Sequence, residues 1–254
     1  MKKSTFFKSA SLALACAAAA TAFSGCGSKN YAENNTAFFI GGSGPLTGSA
    51  ASYGIAVQRG AELAVEEINA KNEDGMRFTF EIKDDKASAA DVPTNFAALY
   101  EKGMQLSLGA VTSGACLSFK GLAAEKNLFT LCPSATADDV TKDADTVFQM
   151  CFSDSNQGTV AAQQYFNTDA VPAGTKLGIL YCSNDAYSKG IYDTFKAALD
   201  TSKFAEIAET SFRNDASGNP PTDMNSQVET LKNCSYFFMP VYYTPAVTFM
   251  LAAK

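Results

Sequence analysis

The 254-residue chain contains no histidine and no tryptophan. Without histidine, a Ser-His-Asp or Cys-His nucleophile, a His-ligated zinc site and an imidazole proton shuttle are all excluded. Its 7 cysteines include no C-x-x-C pair, which argues against a zinc knuckle or a thioredoxin-like redox motif. No G-x-S-x-G turn of a serine hydrolase occurs. Charge is sparse as well, at 18% of residues, and the formal net charge of -6 argues against nucleic acid or anionic lipid headgroups as partners. What remains is 46% hydrophobic, enough to build the core of one large domain or two small ones.

The first residues read as a targeting segment. Lys2, Lys3 and Lys8 precede an uncharged, alanine-rich stretch over 10–23, followed by Ser24-Gly25-Cys26. This is the order of a secretory signal over residues 1–25, and its apolar run is too short to span a bilayer. Phe23-Ser24-Gly25-Cys26 resembles the lipobox of bacterial lipoproteins. That resemblance implies that Cys26 is diacylated and becomes the new N-terminus, and two acyl chains suffice for stable attachment. The plainer alternative is an ordinary signal peptide with an incidental cysteine. Residues 26–36 are polar and without periodicity, as expected of a tether.

From residue 37 two hydrophobic periods alternate. Phe38-Phe39-Ile40 predicts a buried strand ended by Gly41-Gly42. Residues 53–71 then show helical spacing, with Val57, Ala61, Ala64, Val65 and Ile68 on one face. Phe78, Phe80 and Ile82 alternate as a strand stopped by Asp84-Asp85, and Asp91 and Pro93 open a helix carried by Phe96 and Leu99 to Gly103. A strand over 106–111, a helix over 115–126 and a strand over 128–132 follow. The pattern restarts with an extended 146–152, a helix over 155–166 and a strand over 176–182. Ile191, Phe195 and Leu199 mark the next helix, 206–212 a strand, Met224, Val228 and Leu231 a helix, and 235–241 a last strand. Repeated βα units predict α/β architecture: two doubly wound parallel-sheet lobes, 37–152 and 153–254, joined near 152–158. The alternation breaks off inside the helix after 235–241, so the second lobe reads as incomplete and the chain as a fragment. Ligands of open α/β sheets bind beyond the carboxyl ends of the strands, which singles out the loops 41–53, 112–115, 133–136 and 182–187.

Those loops carry a resemblance. IGGSGPLTGSAASYG over 40–54, with GAELAVEEIN over 60–69, looks like the opening of branched-chain-amino-acid-type periplasmic binding proteins. Thr112-Ser113-Gly114, Pro133-Ser134-Ala135-Thr136, Ser153-Asp154-Ser155-Asn156-Gln157-Gly158 and Asp185-Ala186-Tyr187-Ser188-Lys189-Gly190 follow in the order of that family. The same motifs resemble the ligand-binding lobes of metabotropic glutamate receptors. The resemblance implies a type I periplasmic binding protein fold. It further implies a non-enzymatic role: capture of a free amino acid, branched-chain or related, for an ABC permease and ATPase, with no cofactor, metal or nucleic acid. Residue by residue, it implies ligand contact by Ser113, Ser134, Ala135 and Thr136, with backbone N–H groups and hydroxyls for the carboxylate. Asp154 matches the position that meets the ammonium, Tyr53 and Tyr187 match covering aromatics from the two lobes, and Tyr243 is a looser match.

Each of these residues also has a plainer use. Ser113 and Thr136 could cap the helices that follow them, and Asp154 the helix over 155–166. Tyr53 could be a helix-start aromatic, Tyr187 a surface turn and Tyr243 core. The role itself has alternatives: a lipoprotein that senses a ligand for a membrane partner, or one that binds an amide or short peptide. A dinucleotide turn at Gly42–Gly48 has the wrong spacing, G-x-G-x-x-x-G with Pro45 inside, and the acidic pair Asp84-Asp85 lies well beyond the expected offset. Cys116, Cys132, Cys151, Cys182 and Cys234 sit in or beside expected strands, where a free cysteine behaves as a small hydrophobe. A Cys116–Cys132 bridge is the open alternative.

Overall fold

In the computed structural model, β1 (Ala37–Gly44) leads through α1 (Ala51–Lys71) to β2 (Arg77–Asp84), then α2 (Val92–Glu101), β3 (Leu106–Ala110), α3 (Ser113–Glu125), β4 (Thr130–Cys132) and β5 (Val147–Gln149). The described residues are 37–72 and 75–254; the expected signal over 1–25, the tether and Cys26 lie outside them. A second series follows: α4 (Asp154–Ala161), β6 (Lys176–Cys182), α5 (Ala186–Ala198), β7 (Glu206–Phe212), α6 (Asn225–Leu231), β8 (Tyr236–Phe238) and α7 (Tyr243–Ala252). The strands form two parallel sheets, ordered β2-β1-β3-β4-β5 and β7-β6-β8.

Each sheet has its own core. Over the first, Val92, Phe96 and Leu99 of α2 meet Phe119 and Ala123 of α3, with Phe96 and Phe119 edge to face at 5.1 Å. Over the second, Phe195 of α5 stacks on Phe238 at 3.7 Å and meets Phe166 edge to face at 5.0 Å. Leu180, Met224, Leu231 and Phe249 fill its other face.

The structure departs from the periodicity in three instructive places. β1 does not stop at Gly41-Gly42; it continues to Gly44, pairing Gly41 with Glu81 and Gly44 with Asp84. A Cβ on Gly41 would lie 2.3 Å from the Met104 sulfur, and one on Gly44 2.7 Å from Val111 Cγ2, so these glycines admit neighbours rather than end the strand. The apolar face of α1 is only partly covered: Val57, Ala61 and Val65 are half-buried, while Ala64 and Ile68 lie at the surface. The reason is that α1 packs on β2, the edge of its sheet. Finally, β8 is shorter than 235–241, because Pro240 carries no N–H for the ladder.

α4 and α5 cross very closely. A Cβ on Gly158 would stand 2.4 Å from the Ile191 carbonyl and 2.6 Å from the Phe195 nitrogen, and one on Gly190 2.8 Å from Asp154 Oδ2. The glycines that end two of the motifs are therefore packing residues. Beyond Ala161 the helix continues as one π-helical turn, Ala162–Phe166.

Candidate ligand-binding site

Where β3 ends, Thr112 turns the chain into α3, and Ser113 becomes its first residue. Neither residue serves as a side-chain cap of that helix. Ser113 Oγ instead accepts the backbone N–H groups of Thr136 at 3.3 Å and Ala137 at 3.2 Å, tying the turn after β3 to the turn after β4. Because Ser113 accepts twice, its own hydroxyl proton stays available to an outside acceptor. The Thr136 N–H, expected to meet a ligand, is committed to Ser113; the Thr136 hydroxyl is not.

A cavity of about 180 Å³ opens above these turns. From the first sheet it is lined by Val111, Thr112, Ser113, Ser134, Ala135 and Thr136, with Tyr53 from α1; from the second side come Gln157, Tyr187 and Tyr242. Tyr187 and Tyr242 stack at 5.0 Å, and Tyr53 meets Tyr242 at 5.5 Å. Burial holds the Tyr242 hydroxyl well above the usual phenol range, pushes Tyr187 up to about 12 and raises Tyr53. All three are neutral hydroxyls at physiological pH, able to donate to an anion.

Of the eight expected contact residues, the lining holds Ser113, Ser134, Ala135, Thr136, Tyr53 and Tyr187. Tyr243 stands one residue outside it. Tyr242 is the extended residue before α7 and turns its ring into the cavity, whereas Tyr243 starts the helix and remains 42% exposed. Asp154 lies beside the cavity rather than on its wall. It is not the helix cap either: Ser153 Oγ accepts from Asn156 N–H, and Asp154 is the first helical residue. Its N–H donates to the Thr136 carbonyl at 2.8 Å, and its carboxylate packs against Gly190.

Asp154 is 1% exposed, and burial pushes its carboxyl up to about 6, with Asp138 and Asp185 adding to the rise and Thr136 opposing it. Oδ1 accepts a long 3.5 Å bond from Gln157 Nε2, while Oδ2 has no partner among the described residues. Thr112 Oγ1, equally buried, has none either. Buried oxygens are seldom left unpaired, so two beside one cavity mark polar demand that a ligand or water meets.

Four lining residues escaped the sequence reading of the site: Val111, at the end of the expected strand 106–111, Thr112, Gln157 and Tyr242. Thr112 stands in the motif Thr112-Ser113-Gly114, which marks the turn but not which of its side chains faces the cavity. Gln157 lies three residues after Asp154, on the same helical face, a spacing that could have placed it. Tyr242 could be told from Tyr243 only by the register of α7.

The two sheets of parallel strands with a cavity between their connecting turns define the type I periplasmic binding protein fold. The family model for periplasmic binding proteins matches residues 37–254, and the chain belongs to that family. It is similar to the Leu/Ile/Val-binding protein BraC3 of Rhizobium johnstonii, 33% identical over 170 residues, which are 66% of this chain and 45% of that protein. Leu/Ile/Val-binding protein homolog 3 of Brucella melitensis is 29% identical over the same shares of each. Among solved structures, the branched-chain amino acid transporter binding protein LivJ of Streptococcus pneumoniae, in complex with isoleucine, superposes with a TM-score of 0.73 at 28% identity, over 85% of this chain and 60% of that one. The leucine-binding protein LivK of Thermotoga maritima has a TM-score of 0.74 at 21% identity, over 85% and 59%, and speaks to the fold alone. The chain spans about half the length of the curated relatives it matches.

Proposed function

We propose that this protein is the extracytoplasmic substrate-binding component of an ABC importer, that it captures a free amino acid, branched-chain or related, and that it is anchored by lipid on Cys26. Its lobes, 37–152 and 153–254, close on the ligand and present it to the permease and ATPase. The observation that carries this reading is the cavity of about 180 Å³ where Ser113, Thr136 and three neutral tyrosines converge beside the unpartnered Asp154 Oδ2. The isoleucine complex of LivJ and the names of the Leu/Ile/Val-binding relatives support the choice of ligand class.

The chemistry is that of recognition. The ligand carboxylate takes the hydroxyls of Ser113 and Thr136 and the N–H groups of the 134–136 turn that remain free. Its ammonium takes the Ser134 carbonyl, the Thr136 hydroxyl and Asp154. Tyr53, Tyr187 and Tyr242 cover the pair and exclude water. Hydrogen bonds to charged groups contribute about 1.5–3 kcal/mol each, and micromolar affinity requires about 8 kcal/mol. Four such bonds with an apolar side-chain contact reach that range after the cost of association.

Titration calorimetry with leucine, isoleucine, valine, alanine, sugars, amides and short peptides tests the reading. Heat with the free amino acids is expected; heat with sugars alone overturns it. Labelling with a fatty-acid probe tests the anchor, since Cys26→Ala should abolish incorporation.

A further inference from the structure

Beneath the two turns that hold the cavity, two cysteines face each other. Cys116 lies in α3, three residues after Ser113; Cys132 is the last residue of β4, two before Ser134. Each is 1% exposed, and the two sulfurs are 3.2 Å apart. Cys116 Sγ donates to the Ala110 carbonyl at 2.8 Å, which holds the thiol at this spot. Cys132 is fixed from its other side: a Cβ on Gly109 would lie 2.9 Å from its sulfur, and Gly109 has a φ of +62° that favours glycine. Both thiols are thus clamped by backbone, with no third group between them.

We propose that Cys116 and Cys132 form a disulfide in the mature protein, a covalent staple between the turn after β3 and the turn after β4. A disulfide needs the sulfurs about 2.05 Å apart, so an approach of roughly 1.1 Å from the present 3.2 Å is required. The staple would act in parallel with the Ser113 hydrogen bonds to Thr136 and Ala137, which already join the same two turns. It would hold the donors of the cavity in register whether or not a ligand is present.

The oxidant is a protein or low-molecular-weight disulfide, of the kind present in oxidising extracytoplasmic compartments. The Cys132 thiolate attacks one sulfur of that disulfide and releases one thiolate. Cys116 then gives up its proton and attacks the Cys132 sulfur; the Cys116–Cys132 bond forms and the second thiolate leaves. Two cysteine thiols are oxidised, and one external disulfide becomes two thiols. The order of the two cysteines is interchangeable, since neither has yet reached its buried position when the exchange takes place. With both sulfurs shielded in the folded state, the exchange belongs to folding after export. The finished bond is then protected from reductant.

Cys151, Cys182 and Cys234 provide the internal control, since none of them is placed against another sulfur among the described residues. The test needs no ligand, so its outcome is independent of the proposed transport role. The exported protein is denatured without reductant in excess iodoacetamide, then cleaved with trypsin. Cleavage after Lys102, Lys120, Lys126 and Lys142 puts Cys116 in peptide 103–120 and Cys132 in peptide 127–142. The expected result is a single cross-linked species of these two peptides, 2 Da lighter than their sum, with Cys151, Cys182 and Cys234 carbamidomethylated. Reduction before alkylation should convert it to two labelled peptides. Carbamidomethyl groups on both Cys116 and Cys132 in the unreduced sample, or a bridge to another cysteine, overturn the proposal. The wild-type readout requires no variant to fold; Cys116→Ser adds that Cys132 becomes fully alkylated.

Discussion

Thr136 is the residue on which the binding reading turns. Its N–H belongs to Ser113 and its carbonyl to the Asp154 N–H, while its hydroxyl, beside the Asp154 carboxylate, is the group a ligand can meet. Thr136→Ala should therefore weaken amino-acid affinity by about ten- to a hundredfold, the value of one hydrogen bond to a charged group, while Thr136→Ser should retain most of it. Calorimetry on the three proteins checks this; normal binding by the Ala variant would return Thr136 to a purely structural part. Asp154 adds a pH signature. Its folded carboxyl is pushed up to about 6 from an ordinary 3.8, so the folded state holds more protons than the unfolded chain between those values. Stability from this group consequently falls as pH rises from about 4 to about 6. A ligand ammonium favours the ionised form, so affinity should rise over the same window. Asp154→Asn should raise the unliganded melting temperature at pH 7 and flatten the affinity profile; a profile unchanged by the substitution would detach Asp154 from the ligand. Six of the eight expected contact residues line the cavity, because their motifs place them in the turns after strands or the first turn of the helix that follows. Tyr243 does not, since adjacent tyrosines differ only by where α7 starts, and Tyr242 took the cavity.

At the scale of elements, hydrophobic spacing carried most of the reading. KLGILYC and EIAETSF became β6 and β7 with the expected bounds, because a continuous apolar run and an alternating one each leave a single pairing that buries them. Glycine was where spacing failed. Gly41-Gly42 reads as punctuation in a sequence but is strand in the fold, since the reason for glycine there is the Met104 side chain, distant in the chain. Gly158 makes the same point at the α4–α5 crossing, where no local pattern reveals that another helix backbone passes within contact distance. Gly158→Ala should drive a methyl group against the Ile191 carbonyl and Phe195 nitrogen. Backbone cannot rotate away as a side chain can, so a loss of roughly 1–3 kcal/mol is expected, as for overpacked cores. Thermal or urea unfolding measures it, and an Ala variant as stable as the parent would mean that the helices separate freely.

For the molecule as a whole, the question is what couples the two sheets across the cavity. Near the crossover, Asp154 N–H donates to the Thr136 carbonyl and Ser155 to the Asp138 carboxylate; far from it, Thr244 Oγ1 on α7 donates to the Ser49 carbonyl at 2.8 Å, joining segments 195 residues apart. The ring contacts of Tyr53 with Tyr242 and Tyr243 flank it. A ligand shifts an open–closed equilibrium only through contacts made better in the closed form; if the lobes close as proposed, the Thr244 bond would favour the closed form from outside the cavity lining. Thr244→Val keeps the shape and removes the donor. A net hydrogen bond is worth about 0.5–1.5 kcal/mol, so amino-acid affinity should fall by roughly two- to tenfold. The loss should reside in a faster dissociation rate, because encounter precedes closure and the latch acts after it. Stopped-flow fluorescence from the cavity tyrosines resolves the two rates. A slower association with unchanged dissociation would show that Thr244 shapes the entrance, and unchanged rates of both kinds would leave closure to the tyrosines and the bonds near the crossover.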